Sequence, residues 1–236
     1  MSLLTLIQTA ADLIGIPRPN TVISSADTQV RQLLALANIE GKALAKRGQW
    51  QVLVKEVTHT TLAQEDQGAV ATIAPGFSHL INGTLWNRTQ QDPINGPLSP
   101  QQWQLLKASA ATGPYYDFRI RGGRLLMIPT PPAGETAALE YVSKHWCQSA
   151  DGSTTREAWA ADSDTGILPE DLMTLGVRWR FLQAKGMDYG EAFRDYEIQV
   201  NDCLARDGGK PVLYFDQGTD EYRPHVRAPE GSWPLS

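Results

Sequence analysis

The sequence is poor in the residues from which catalytic and metal centres are built. Cysteine occurs twice in 236 residues, as Cys147 and Cys203, without CxxC spacing. Two isolated thiols make neither a zinc cage nor a disulfide framework, so buried, reduced side chains are expected. The four histidines, His59, His79, His145 and His225, show no HxxxH or HExxH pattern. A GxSxG elbow and a Walker loop are both missing. Gly122-Gly123 is followed by Arg124 and a strand, whereas a dinucleotide loop needs GxGxxG opening a helix. No apolar run approaches the ~20 residues of a membrane span. The first apolar stretch has no basic leader and is interrupted by Asp12, which argues against a signal peptide. Positive charge is also short: 21 Lys and Arg face 26 Asp and Glu, for a net charge of -5. A protein whose main task is to clamp nucleic acid is thereby disfavoured, though DNA could still pass it.

What the chain has is apolar periodicity that changes along its length. It is 42% hydrophobic and 20% charged, enough for one large domain or two small ones. Ser2 is placed to cap a helix carrying Leu3, Leu6, Ile7, Ala10 and Ile14, ended by Gly15 and the Pro17 to Asn20 run. A second helix is predicted from Ser25 to Arg47 on the stripe Val30, Leu33, Leu34, Ala37 and Leu44, closed by Gly48. The short Pro-rich link predicts that these two pack antiparallel.

From Gln49 to Thr61 the alternation and β-branched residues predict a strand. Ala69 to Ile73 and Leu80 to Arg88 read as further short strands, the latter broken at Asn82-Gly83. Ser99, Pro100 and Gln102 form a capping box that opens a small helix. Phe118 and Ile120, the turn Gly122-Gly123, and Leu125 to Ile128 predict a hairpin. Ala137 to His145 is read as the third strand of the same antiparallel meander. Asp151 to Gly166 reads as an exposed loop. Late helices follow on Leu172, Leu175, Trp179 and Leu182, then on Phe193, Tyr196, Val200 and Leu204.

The expected fold class is α+β. Residues 1–48 and 167–208 supply an antiparallel helical bundle, 49–166 a β-rich insertion with its hairpin, and 209–236 an extended C-terminal arm.

Candidate contact residues follow from this layout. Arg119, Arg121 and Arg124 crowd the hairpin tip, either solvated or facing a neighbour's acids or a nucleic-acid backbone. Of the seven tryptophans, Trp179 is expected in the helical core. Trp159 and Trp233 lie in segments with no obvious core and read as interface anchors. Tyr214, Phe215 and Tyr222 join Trp233 in an apolar arm broken by Pro211, Pro224, Pro229 and Pro234. The adjacent acids Glu65-Asp66 and Glu170-Asp171 read as loop and helix-start charges, the latter offsetting a helix dipole.

Three segments resemble bacteriophage head-to-tail adaptor (connector) proteins, such as tail tubular protein A and related portal-proximal adaptors. They are KRGQW at Lys46 to Trp50, RIRGGRLLMIPTPPAGETAALEYVSKHWC at Arg119 to Cys147, and LPEDLMTLGVRWRFLQAKGMDYGEAFRDYEIQV at Leu168 to Val200. The resemblance covers most of residues 1–208. It implies a non-enzymatic virion protein with no cofactor, assembled in the host cytoplasm and located at the portal-tail junction. Its implied partners are the portal protein, neighbouring adaptor subunits in a ring of 12, and the next tail component, whether nozzle, stopper or tail tube protein. DNA would pass through the channel without sequence-specific binding, and no membrane is involved. The rival readings are a phage accessory hydrolase whose carboxylates converge only in the fold, and a monomeric prophage-encoded binding module.

Overall fold

Helix α1, Leu3–Ile14, begins where the Ser2 hydroxyl accepts the Thr5 N–H at 3.2 Å, in a computed structural model that describes residues 1–109 and 115–208. Helix α2, Thr28–Arg47, starts three residues later than the sequence pattern predicts. Asp27 is the reason: its carboxylate accepts the Gln29 N–H at 2.7 Å and caps the helix. The chain then makes a short 3-10 turn at Gln51–Leu53 before strand β1, Val54–Thr60. Strand β2, Asp66–Ala69, leads directly into α3, Val70–Ile73. The strand predicted at Ala69 to Ile73 is therefore mostly one helical turn, because Val70 and the residues after it leave the sheet edge to cover the β-region core.

Strands β3, Phe77–Leu80, and β4, Trp86–Asn87, flank the predicted Asn82-Gly83 turn, with β5, Asp92–Pro93, following. Helix α4, Pro100–Ala108, carries the predicted capping box between Ser99 and Gln102. Strands β6, Asp117–Arg121, and β7, Arg124–Ile128, form the predicted hairpin. Gly122 and Gly123 sit at φ of 58° and 72°, left-handed values that side chains bearing a Cβ adopt reluctantly.

Strand β8, Thr136–Ser143, departs from the expected meander. It leaves the hairpin sheet, whose order is β2-β7-β6, and joins a second one. There β1 pairs along all of β8, from Val54 opposite Val142 to Thr60 opposite Thr136. On its other edge, β4 and β3 share β8. Two causes are visible. Pro129, Pro131 and Pro132 remove ladder donors just after β7, and Ala137, Ala138, Leu139, Tyr141, Val142 and Ser143 are all buried, as befits a central strand. Loop length alone gave no hint of the switch.

The segment Asp151 to Gly166 is likewise not an exposed loop. Short strands β9, Cys147–Gln148, β10, Thr155–Arg156, and β11, Thr165–Gly166, pair through β9. Asp162 accepts the N–H groups of Val22 and Ile23 at 3.0 and 2.7 Å, and its carbonyl accepts from Leu4 at 3.0 Å. Asp164 accepts from Ala160 and Ala161 and pairs with Arg156 at 2.9 Å. The segment is a polar clamp that satisfies the start of α1 and the α1–α2 link.

Helices α5, Glu170–Ala184, and α6, Gly190–Asp207, complete the described chain. Helix α5 packs against α1, α2 and α6, whereas α1 and α2 meet only marginally. The expected antiparallel α1–α2 pair is thus bridged by α5. Two cores result. One combines the four long helices with Trp50, Trp146, Trp159 and Leu168, and the other lies between the sheets around Phe118, Met127, Leu139 and Tyr141. The fold class is α+β with antiparallel sheets.

Candidate interaction surfaces

The hairpin places its arginines at the surface. Arg121 and Arg124 are exposed and Arg119 is half-buried. Arg124 donates from Nε to Asp66 on the adjoining strand β2. That hydrogen bond is the main reason the Asp66 carboxyl is held below the usual carboxylate range. Arg119 and Arg121 make no ion pair among the described residues, although Arg121 lies near enough to Asp66 to help lower it.

The acid pairs are engaged elsewhere. Glu65 pairs with Lys107 of α4, and Glu170 with the N-terminal amine at 3.0 Å. Asp171 lies with Glu170 in the first turn of α5, where negative charge opposes the dipole. A cleft of about 530 Å³ opens over β4 and β8, lined by Trp86, Arg88, Glu56 and Glu140. Glu56 and Glu140 are directly cross-strand, and Arg88 neutralises the first through an ion pair. Among the described residues no group of three or more His, Cys, Asp and Glu could hold a metal ion. Cys147 is buried, and burial pushes its thiol up to about 12, which makes it a poor nucleophile. Cys203 is half-buried and also free.

Trp159 is not the exposed anchor expected of it. It is 6% exposed and stands edge-on to Trp146, with ring centroids 5.1 Å apart. The polar residues around it in sequence belong to the clamp, which folds inward and carries the indole with it. Trp179 is buried as expected, among Tyr189, Phe193 and Tyr196. Tyr214, Phe215, Tyr222 and Trp233 lie outside the described residues.

Sequence reasoning missed the charged centre of the helical core. Glu40 of α2 is fully buried. It accepts from Arg180 Nε of α5 at 2.6 Å and from the Tyr196 hydroxyl of α6, tying three helices together. Burial, and after it the Glu40 charge, pushes the Tyr196 phenol up. Gly176 makes room for the carboxylate: a Cβ there would stand 2.2 Å from the Glu40 carboxyl carbon. Beside this centre, Arg47 of α2 pairs with Glu197 of α6. A signal was present, since Glu40 falls on the same helical face as Val30, Leu33, Ala37 and Leu44. A lone carboxylate on such a stripe demands a buried cation, whose identity sequence does not supply.

The model of one protein family, described as SU10 adaptor protein, matches residues 1–227. No curated protein matches the chain. The family model spans nearly the whole sequence, and the chain therefore belongs to the SU10 adaptor protein family, a bacteriophage structural adaptor. The narrower likeness to tail tubular protein A rests on the three sequence segments alone. No helix among the described residues is long and apolar enough to cross a membrane.

Proposed function

We propose that this adaptor forms a ring of 12 subunits in the virion, between the portal and the tail. The ring extends the DNA channel and presents a platform to the next tail component. The observation that carries the reading is the family match over residues 1–227. Other features support it. The net charge of -5 suits a channel that DNA slides past rather than binds. Arg119 and Arg121, at an exposed hairpin end, are contact residues toward a neighbouring subunit or the channel. Residues 209–236 serve as an extended arm, with Tyr214, Phe215, Tyr222 and Trp233 as anchors on the portal or a neighbouring subunit.

The test is co-sedimentation of the full chain with purified portal particles, beside a chain ending at Gly208. Stoichiometric capture of the full chain, lost or strongly weakened on truncation, is expected. Failure of the full chain to bind portal overturns the assignment. Full-strength binding by the truncated chain removes the role of the arm.

A further inference from the structure

The two helices flanking the Glu40 centre present opposite charge to solvent. Helix α2 has one carboxylate between Thr28 and Arg47, and that one, Glu40, is fully buried. Its exposed side carries Arg31, Lys42 and Lys46, with Ile39 in the middle and 50% exposed. In a chain of net charge -5, a helix face without a single acid is unexpected. Helix α6 shows the reverse. Its exposed side carries Glu191, Asp195 and Asp202, with Ile198 in the middle and 51% exposed. Two exposed cations adjoin that stripe, Arg194 beside Asp195 and Arg206 one turn after Asp202.

Neither stripe is used up within the subunit. Arg31, Lys46, Glu191, Asp195 and Asp202 make no ion pair among the described residues. Lys42 makes no ion pair among the described residues either, and the neighbouring Glu157 is itself paired with Lys144 at 3.1 Å. At 20 and 18 residues the two helices are about 30 and about 27 Å long, nearly matched. Within the subunit they meet along the seam of Arg47 with Glu197 and Glu40 with Tyr196. Helical periodicity turns Ile39 and Ile198 away from that seam.

We infer that the basic stripe of α2 is the docking surface for the acidic stripe of α6 of a second copy of this chain, with Ile39 and Ile198 as its apolar centre. Two different surfaces of one subunit meeting across copies make a heterologous contact, which closes into a ring when the rotation allows. The inference rests on the ring proposed above and names the faces that build it. A nucleic-acid backbone is the other chemistry a basic helix face could meet, and the experiment separates the two.

Three full-length variants test the contact. Lys42→Glu with Lys46→Glu reverses one face, Asp195→Lys with Asp202→Lys reverses the other, and the third chain carries all four. Melting temperature confirms folding, since these side chains are exposed. Self-association is read by sedimentation velocity and by counting subunits on portal particles. Each single-face reversal is expected to weaken association by about tenfold or more, and the four-site chain to recover most of it. Wild-type association should also weaken as salt is raised from about 50 to about 500 mM. Unchanged assembly in both single-face variants overturns the contact, as does failure of the four-site chain to recover. Loss of nucleic-acid binding with α2 reversal, and no effect of α6 reversal, assigns the basic face to DNA and overturns it too. If the wild-type chain forms no oligomer with or without portal, the ring fails and the contact with it. A ring that ignores all three variants leaves the adaptor reading standing and removes this one alone.

Discussion

The helical core and the β core solve the same burial problem with different chemistry. The helical core is organised around a buried charge, Glu40, held by Arg180 and Tyr196 from two other helices. The β core is organised by backbone ladders, above all the full-length pairing of β1 with β8, and its centre around Phe118, Met127 and Leu139 is apolar. Polar ties in the β region lie outside that apolar cluster, where the buried Glu135 accepts from Asn87 at 2.7 Å and Thr61 donates to the Pro132 carbonyl at 2.7 Å. A ladder tolerates loss of a side chain better than a triad tolerates loss of one member. The helical core should therefore be the more sensitive to loss of a single polar side chain.

The sharpest way to break this contrast is to remove the Glu40 carboxylate. Glu40→Ala leaves Arg180 partly buried without its anion and should cost about 3–5 kcal/mol. Denaturant unfolding would report it, and a loss under about 1 kcal/mol would show that the buried charge does not organise the helical core. Replacing Glu40 and Arg180 together by Met should recover part of that loss, because the stranded charge is gone. Trp179→Ala in the same core should cost about 3–5 kcal/mol, as truncation of large buried side chains does. Phe118→Ala, at 1% exposure, should cost a similar amount in the β core. There amide exchange should rise in β6 and β7 before it rises in α5. The clamp comes next: Asp162→Ala removes a charged acceptor from two N–H groups and should cost about 1.5–3 kcal/mol, with faster exchange at Val22 and Ile23.

A smaller effect is expected from pH. His145 has its basicity lowered by burial first, then by Lys55, while Glu157 opposes. His59 is lowered by burial, with the nearby Gln67 side chain opposing. Both imidazoles therefore stay neutral in the folded protein at pH values where the unfolded chain, near its ordinary 6.5, takes up protons. The unfolded state binds more protons in that window, so stability falls as pH drops below 6.5 toward the lowered folded values, and is flat above about 7.5. Melting curves at pH 7.5 and 5.5 check this, and His145→Asn should flatten the dependence. The smallest effect is at the hairpin, where Arg124→Ala removes a half-exposed ion pair to Asp66 and should cost under about 1 kcal/mol.

The same contrast explains what sequence made legible. Helix periodicity is local, so Leu3, Leu6 and Ile7 in α1, and Trp179 in α5, were readable from their own neighbours. The hairpin was equally local, since Gly122-Gly123 fixes it without reference to the rest of the chain. The partners of β8 are not local: β1 lies about 80 residues upstream, and nothing in Ala137 to His145 names it. Asp162 and Asp164 looked like loop solvation because their acceptors serve backbone groups, which carry no sequence signature. Of the candidate contacts, Arg121 and Arg124 are exposed and Arg119 is half-buried, and the pairing of Arg124 with Asp66 needed the sheet order β2-β7-β6. Trp159 was misread for the same reason as its clamp.

The central claim is that this adaptor acts as a ring on the portal. Its most direct test is electron cryo-microscopy of portal particles incubated with the full chain. The account predicts a closed ring of twelve subunits, with a channel continuous with that of the portal and with α2 of each subunit facing α6 of the next. Portals bearing isolated subunits, an open spiral, or no added density would contradict it.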